Sequence, residues 1–279
     1  MSESASASPE ESAAFKEALV AEKLVAIRAP RRYLDDDGVL CVSGDFRARL
    51  AMNAFDRDAA FRLRYEIFNV ELGKGLPSAH RSGRDTDEFD HVCEHILVEE
   101  IATSRIVGTY RLQHGAIAGT NLGYYSAREF DFTPYEPFRN QMLELGRACI
   151  DVDFRTMPVL MLLWRGICSY AQHLGARYMI GCSSLTTQDV AAGSDMYHAL
   201  SRFLVEEQLR TQPAAGFSFP LQAPPLISPD PPKLLKSYLT IGSRICGTPA
   251  IDRDFGTIDF LTFIDLERLA PSMKLRLLK

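Results

Sequence analysis

The 279-residue chain is 46% hydrophobic and 24% charged, with a formal net charge of −5. It therefore carries enough apolar material for one large core and lacks the basic excess that a nucleic-acid partner requires. No apolar run approaches the ~18 to 20 residues that span a bilayer, and the start has neither the basic flank nor the apolar core of a secretion signal, which points to a cytoplasmic protein.

Taken in order, residues 1–13 are rich in Ser, Ala and Glu without periodicity, as in a disordered tail. Residues 14–46 read as a helix and a connector, with Phe15, Leu19, Val20, Leu24 and Ile27 apolar among Lys16, Lys23, Arg28, Arg31 and Arg32. Packing on its own domain is the favoured role for this helix, and peripheral contact with the inner face of a membrane is the alternative. Residues 47–279 form one domain, opening with a strand over Arg47 to Asn53. An amphipathic helix over Asp58 to Leu72 follows, entered through Asp56 or Asp58 and ended by Gly73. Arg64 and Phe68, four residues apart, share one face of it. The polar stretch Lys74 to Glu94 holds Asp85, Asp87, Phe89 and Asp90 close together, without the spacing or distal glutamate of a calcium loop.

His95 to Glu99 and Arg105 to Gln113 read as a hairpin with Arg111 near its end. Residues 115–141 contain Tyr124, Tyr125, Phe130, Phe132, Tyr135 and Phe138, aromatics that either line an apolar cleft or pack the loop down. Leu143 to Asp151, LELGRACID, is a mostly buried strand with Glu144 and Arg147 inside it. Unpaired charge there costs several kcal/mol, so either Gly146 between the two marks a bulge that lets both reach one site, or they form a buried pair that only stabilises the core. A helix over Val159 to His173, a strand over Arg177 to Cys182 and a helix over Ser194 to Leu209 with Tyr197 follow. A proline-rich excursion occupies 211–232, then a helix over Lys233 to Thr240 and strands over Ile245 to Ile251 and Thr257 to Asp265. This succession lacks a regular beta-alpha-beta rhythm and predicts a three-layer α/β sandwich with a mixed, largely antiparallel sheet splayed near Gly146. The six cysteines form no C-x-x-C pair and the histidines lack ligand spacing, so free thiols and no metal are expected.

Arg64 and Phe68 in LRYEIF, Asp87 and Asp90 in DTDEFD, Arg111 in VGTYRL, and Glu144 and Arg147 in ELGR together resemble a family signature. It is that of the GNAT-like acyltransferases that draw on acyl carrier protein, which include acyl-homoserine lactone synthases and ornithine and other amino-acid N-acyltransferases. Asp85 stands where the lactone synthases usually have Glu, and the tryptophan they carry after the arginine-phenylalanine helix is absent. The run from Tyr238 to Leu269 is similar to the ending of the ornithine-type, hemolysin-like members.

The resemblance, covering about residues 50–270, implies a GNAT-like α/β/α sandwich with a bulged central strand and no cofactor. It implies transfer of a (3-hydroxy)fatty acyl chain from acyl carrier protein to the α-amine of an amino acid, ornithine first. Glycine, tyrosine or another amino acid, or lactone synthesis, are the enzymatic alternatives; a carrier-protein or fatty-acyl binding protein is the non-enzymatic one. Glu144 is the expected base, Arg147 its partner in the site, and Tyr197 matches the general-acid position of many GNAT enzymes. Arg64, Phe68, Asp87, Asp90 and Arg111 are the expected substrate-binding set. Ordinary GNAT enzymes hold CoA pyrophosphate on a glycine-rich turn before a helix; here Arg155 begins RTMPVL, with Pro158 and Leu160 in place of glycines. A carrier-protein thioester has no pyrophosphate, so Arg155 and Arg165 are assigned to carrier-protein docking.

Overall fold

The computed structural model describes residues 37–278; the expected tail and the helix over 14–27 lie outside the described residues. Nine strands form one sheet: β1 Val39–Ser43, β2 Phe46–Leu50, β3 Glu94–Glu100, β4 Arg105–His114, β5 Met142–Ile150, β6 Tyr178–Leu185, β7 Arg244–Ile245, β8 Ala250–Asp252 and β9 Thr257–Asp265. Their order is β1-β2-β3-β4-β5-β6-β9-β7, with β8 also on β9. Every pairing is antiparallel except β5 with β6. β1 lies inside the stretch expected as connector and forms one edge of the sheet.

Alternation along the strands sends successive side chains to opposite faces. On one face, Ala48, Leu50, Ile96, Val98, Tyr110, Leu112, Leu143 and Leu145 pack against Val159, Leu163, Ile167 and Ala171 of the long helix Met157–His173. On the other face, the helix Ala54–Arg64 sets Ala60 and Phe61 against Leu97 and Ile106. Helix, sheet and helix are the three layers of the expected GNAT-like sandwich. The aromatic loop does both things expected of it: Tyr124, Phe130, Phe132 and Tyr135 are buried on Met142, Ile180, Leu261 and Phe263 and pack the loop down, whereas Tyr125 lines a cavity. Among the described residues, no helix is long and apolar enough to cross a membrane.

Two local departures shape the site. The helix Ala54–Arg64 is capped by Asn53, whose side chain accepts from Asp56 N–H, not by an aspartate as expected. It then widens into a π-helix over Tyr65–Glu71, a form that concentrates at functional sites. Arg64 lies over Phe61 at 5.4 Å, and Phe68 packs on Leu63, Ile67 and Cys149. In β5 the register against β4 slips between Arg111↔Gly146 and Thr109↔Cys149, a bulge. The positive φ falls on Arg147 (53°), not on Gly146.

Candidate active site

β5 and β6 pair only over Met142–Glu144 with Tyr178–Ile180, after which the strands part. Gly181 sits at the parting, where a Cβ would stand 2.2 Å from the Leu145 carbonyl oxygen. A cavity of about 650 Å³ opens there, lined by Glu144, Gly146 and Arg147 from β5, by Phe68, and by Tyr110 and Tyr238 on the side of the long helix. Beyond Glu144, β5 keeps β4 on one side only, so its other edge offers unpaired backbone groups to the cavity.

Behind one wall stand three arginines and three aspartates. Arg64 Nε and Nη2 donate to Asp85 Oδ1 at 3.0 and 2.8 Å, and Nη1 and Nη2 donate to Asp90 at 2.7 and 3.0 Å. Arg111 Nη1 donates to Asp87 Oδ1 at 2.6 Å and to Asp90 Oδ1 at 3.4 Å. Arg147 completes the set with Asp85 Oδ2 at 3.4 Å and Asp87 Oδ2 at 3.2 Å. Asp87 and Asp90 also form a reciprocal cap on the short helix Glu88–His91, which fixes the turn that presents them. Burial alone would raise the Asp90 carboxyl, but the Arg64 and Arg111 guanidiniums hold it well below the carboxylate range. His95, fully buried 3.6 Å from Asp90, is pushed down to about 3 by burial and stays neutral.

Of the residues expected to bind substrate, Phe68 and Arg111 line the cavity, whereas Arg64, Asp87 and Asp90 do not. Those three are consumed by the ion network, because a buried guanidinium needs carboxylates on every edge. Glu144 does line the cavity, yet it pairs with none of the arginines. Its Oε1 accepts from Ser126 N–H at 2.7 Å and its Oε2 from Tyr125 N–H at 2.9 Å. Burial raises its pKa, with the two N–H groups and the Arg111 charge pulling the other way. Arg147 reaches the cavity and lies over the Phe255 ring at 4.5 Å.

Tyr197 does not reach the site: it packs on the cluster of Leu200, Phe219 and Phe260, its ring edge-on to His198 at 5.6 Å. The helix expected over 194–209 is Val190–Leu200, and this shorter element leaves Tyr197 on a half-buried packing face. Arg155 lines the cavity, with both terminal nitrogens on Glu71 at 2.6 Å. Arg165, about two turns into the long helix, is half-buried beside Cys41 and away from the cavity.

Sequence reasoning missed Lys74 and Lys233, which line the cavity, and three acids in its wall. Glu129, Asp252 and Asp259 are buried, and their carboxylate oxygens lie within 4.8 Å of one another, a set able to hold a cation. Burial, then the charges of Asp259 and Asp252, push Glu129 up to about 10; burial and the Asp252 charge push Asp259 up to about 6. The two aspartates sit in IDRDFGTIDF, where alternation with apolar residues was the signal that they face a wall.

L-ornithine N(alpha)-acyltransferase of Rhizobium meliloti is 31% identical over 243 residues, 81% of this chain and 82% of that protein. The Brucella abortus enzyme of the same name is 32% identical over 243 residues, 81% and 86% of the two chains, and that of Agrobacterium fabrum is 32% identical over 266 residues, 85% and 86%. The acetyltransferase (GNAT) domain family matches residues 63–165. This chain belongs to the GNAT-fold acyltransferase family related to these enzymes. Among solved structures, FeeM, an N-acyl amino acid synthase from uncultured soil microbes, aligns over 80% of this chain and 94% of its own, at 11% identity and a TM-score of 0.47. As a GNAT N-acyltransferase, the protein draws on an acyl-CoA or acyl-carrier-protein thioester and acylates an amino acid or amine.

Proposed function

We propose that this acyltransferase moves a (3-hydroxy)fatty acyl chain from acyl carrier protein to the α-amine of ornithine, giving the N-acyl product of lyso-ornithine lipid synthesis. The supporting observation is the cavity at the parting of β5 and β6, large enough for an acyl thioester and walled by both a buried carboxylate and free strand backbone. The curated relatives' shared name supports ornithine as acceptor.

In this reading the thioester carbonyl lies along the open edge of β5, where backbone N–H groups hold the developing oxyanion. Glu144 takes the ammonium proton through a water, because both of its oxygens already accept from backbone. The free amine attacks, a C–N bond forms, the nitrogen gives its second proton to water as the C–S bond breaks, and the thiolate leaves to be protonated. Tyr110 and Tyr238, with hydroxyls 3.1 Å apart in the cavity wall, are the tyrosines placed to supply that proton in place of Tyr197. Lys74, Arg155 and Lys233 around the cavity suit an acidic carrier protein. Pro158 in the first turn of the long helix removes an N–H that a pyrophosphate would use.

The test uses purified full chain, ornithine, and matched acyl chains on carrier protein and on CoA, with products read by mass spectrometry. Carrier-protein thioester is expected to be the better donor, with a rate that falls as salt rises. Equal or faster transfer from CoA refutes the donor assignment, and no acyl-ornithine from either donor refutes the acceptor.

A further inference from the structure

The two buried acid sets of this molecule differ in one respect. Asp85, Asp87 and Asp90 are matched by Arg64, Arg111 and Arg147. Glu129, Asp252 and Asp259 line the cavity, and among the described residues no arginine, lysine or histidine is ion-paired to any of them. Asp259, only 4% exposed, accepts at Oδ2 from the Thr257 hydroxyl at 3.2 Å while Oδ1 has no hydrogen-bond partner. Glu129 Oε2 accepts from the Cys182 thiol at 3.8 Å, Glu129 and Asp259 hydrogen-bond each other, and Asp252 Oδ1 accepts from Asp254 and Phe255 N–H at 2.9 and 3.1 Å, so the trio has hydrogen bonds but no positive charge. Gln113, 2% exposed and opposite Glu144 on the same face of the sheet, lines the same cavity with both amide atoms unpartnered. Uncompensated acids and orphaned polar atoms facing one cavity are the inverse of a satisfied core. They describe a receptor for a cationic donor that the protein itself does not supply.

We propose that Glu129, Asp252 and Asp259 bind the distal ammonium of the acceptor, making the enzyme selective for amino acids with a short basic side chain. This rests on the amino-acid acceptor reading above and identifies the residues that choose among acceptors. Spacing favours an organic diamine. Glu144 is held by Ser126 N–H at one end of the turn Ser126–Arg128, and Glu129 is the residue that ends it. Three residues of 3₁₀ helix rise ~6 Å. An extended chain of five bonds between the α- and δ-nitrogens spans a similar ~6 Å, so the turn offsets the Glu144 anchor from the start of the acidic trio by about the length of one diamine. The site is also economical in charge: burial keeps Glu129 protonated at neutral pH, so its hydroxyl can hydrogen-bond within the trio while the aspartates face the ammonium.

The experiment compares ornithine with norvaline, its isostere lacking the distal amine, in the wild-type full chain and in Asp259→Asn and Asp252→Asn. Each variant removes a buried charge without adding volume, so folding is preserved. The ornithine-over-norvaline ratio of kcat/KM is expected to fall ~10²-fold in either variant, mostly through a rise in the KM for ornithine. An unchanged ratio in variants that still turn over overturns the subsite and leaves the acyltransferase reading standing. Calorimetric titration with 1,4-diaminobutane, without any acyl donor, judges the subsite separately. Binding that Asp259→Asn abolishes supports it even if no amino acid is acylated, which refutes the acceptor reading alone. No diamine binding, or binding of Mg²⁺, Ca²⁺ or Mn²⁺ in its place, overturns the proposal.

Discussion

Glu129→Gln is expected to stabilise the protein by an amount that grows with pH. Glu129 is 3% exposed, and burial with the neighbouring Asp259 and Asp252 charges raises its pKa from the ordinary 4.5 to about 10. A carboxyl raised on folding contributes its stability below the unfolded value and loses it as pH climbs toward the folded value, because the unfolded chain releases the proton first. At pH 7 the penalty depends only on the distance from 4.5, since the folded group is still protonated there. About 2.5 pH units at about 1.36 kcal/mol each come to ~3 kcal/mol. Glutamine mimics the neutral acid and removes the penalty. Urea denaturation at pH 5 and pH 7 should therefore give a variant advantage under ~1 kcal/mol at the first and ~3 kcal/mol at the second. An advantage that does not change between the two pH values would show that Glu129 is ionised in the folded protein and refute the reasoning.

Three further outcomes are expected. Arg64→Met leaves Asp85 and Asp90 with no arginine nearer than the 3.4 Å contacts to Arg147 and Arg111; it should cost ~3 to 5 kcal/mol in urea denaturation, and a loss under ~1 kcal/mol would show that the network is not what holds the wall. Glu144→Gln should lower kcat/KM ~10²-fold and abolish the rise of kcat/KM with pH that a base with a raised pKa gives, so a variant retaining that rising limb excludes Glu144 as the base. Tyr197→Phe should change kcat by less than ~2-fold, since its ring packs outside the cavity; a ~10²-fold fall would restore it as the acid.

The layers and the parting strand were legible because their signals are local. LELGRACID reads as a core strand carrying two charges, and an interior strand that cannot be surface must bulge or pair them. Which partners they take was not legible. Glu144 holds two backbone N–H groups of the aromatic loop, and loop backbone leaves no mark on residue type. The same blindness hid the division between Arg64 and Phe68: four-residue spacing puts them on one face but does not show that Arg64 is taken up by Asp85 and Asp90 while Phe68 lines the cavity. Tyr197 went astray for a simpler reason, that a family position was carried over onto a helix that sets its ring on the cluster of Leu200, Phe219 and Phe260.

Arginines marked one half of the site and their absence hid the other. Asp85, Asp87 and Asp90 were found because they stand close together in one polar stretch, and Arg64, Arg111 and Arg147 supplied their compensation. Glu129, Asp252 and Asp259 come from a loop and two strands, and no basic residue points to them. Folding stability favours the first set, in which opposite charges meet, and opposes the second, in which two of three carboxyls are raised by burial and mutual repulsion. An arrangement that costs several kcal/mol in the empty protein recovers that energy when a cation enters, and recovers it only from a cation. The destabilised state of the free site is thus the source of its selectivity, and because Glu129 is the neutral member of the trio, the loss of preference for ornithine over norvaline is expected from the aspartate variants and not from Glu129→Gln.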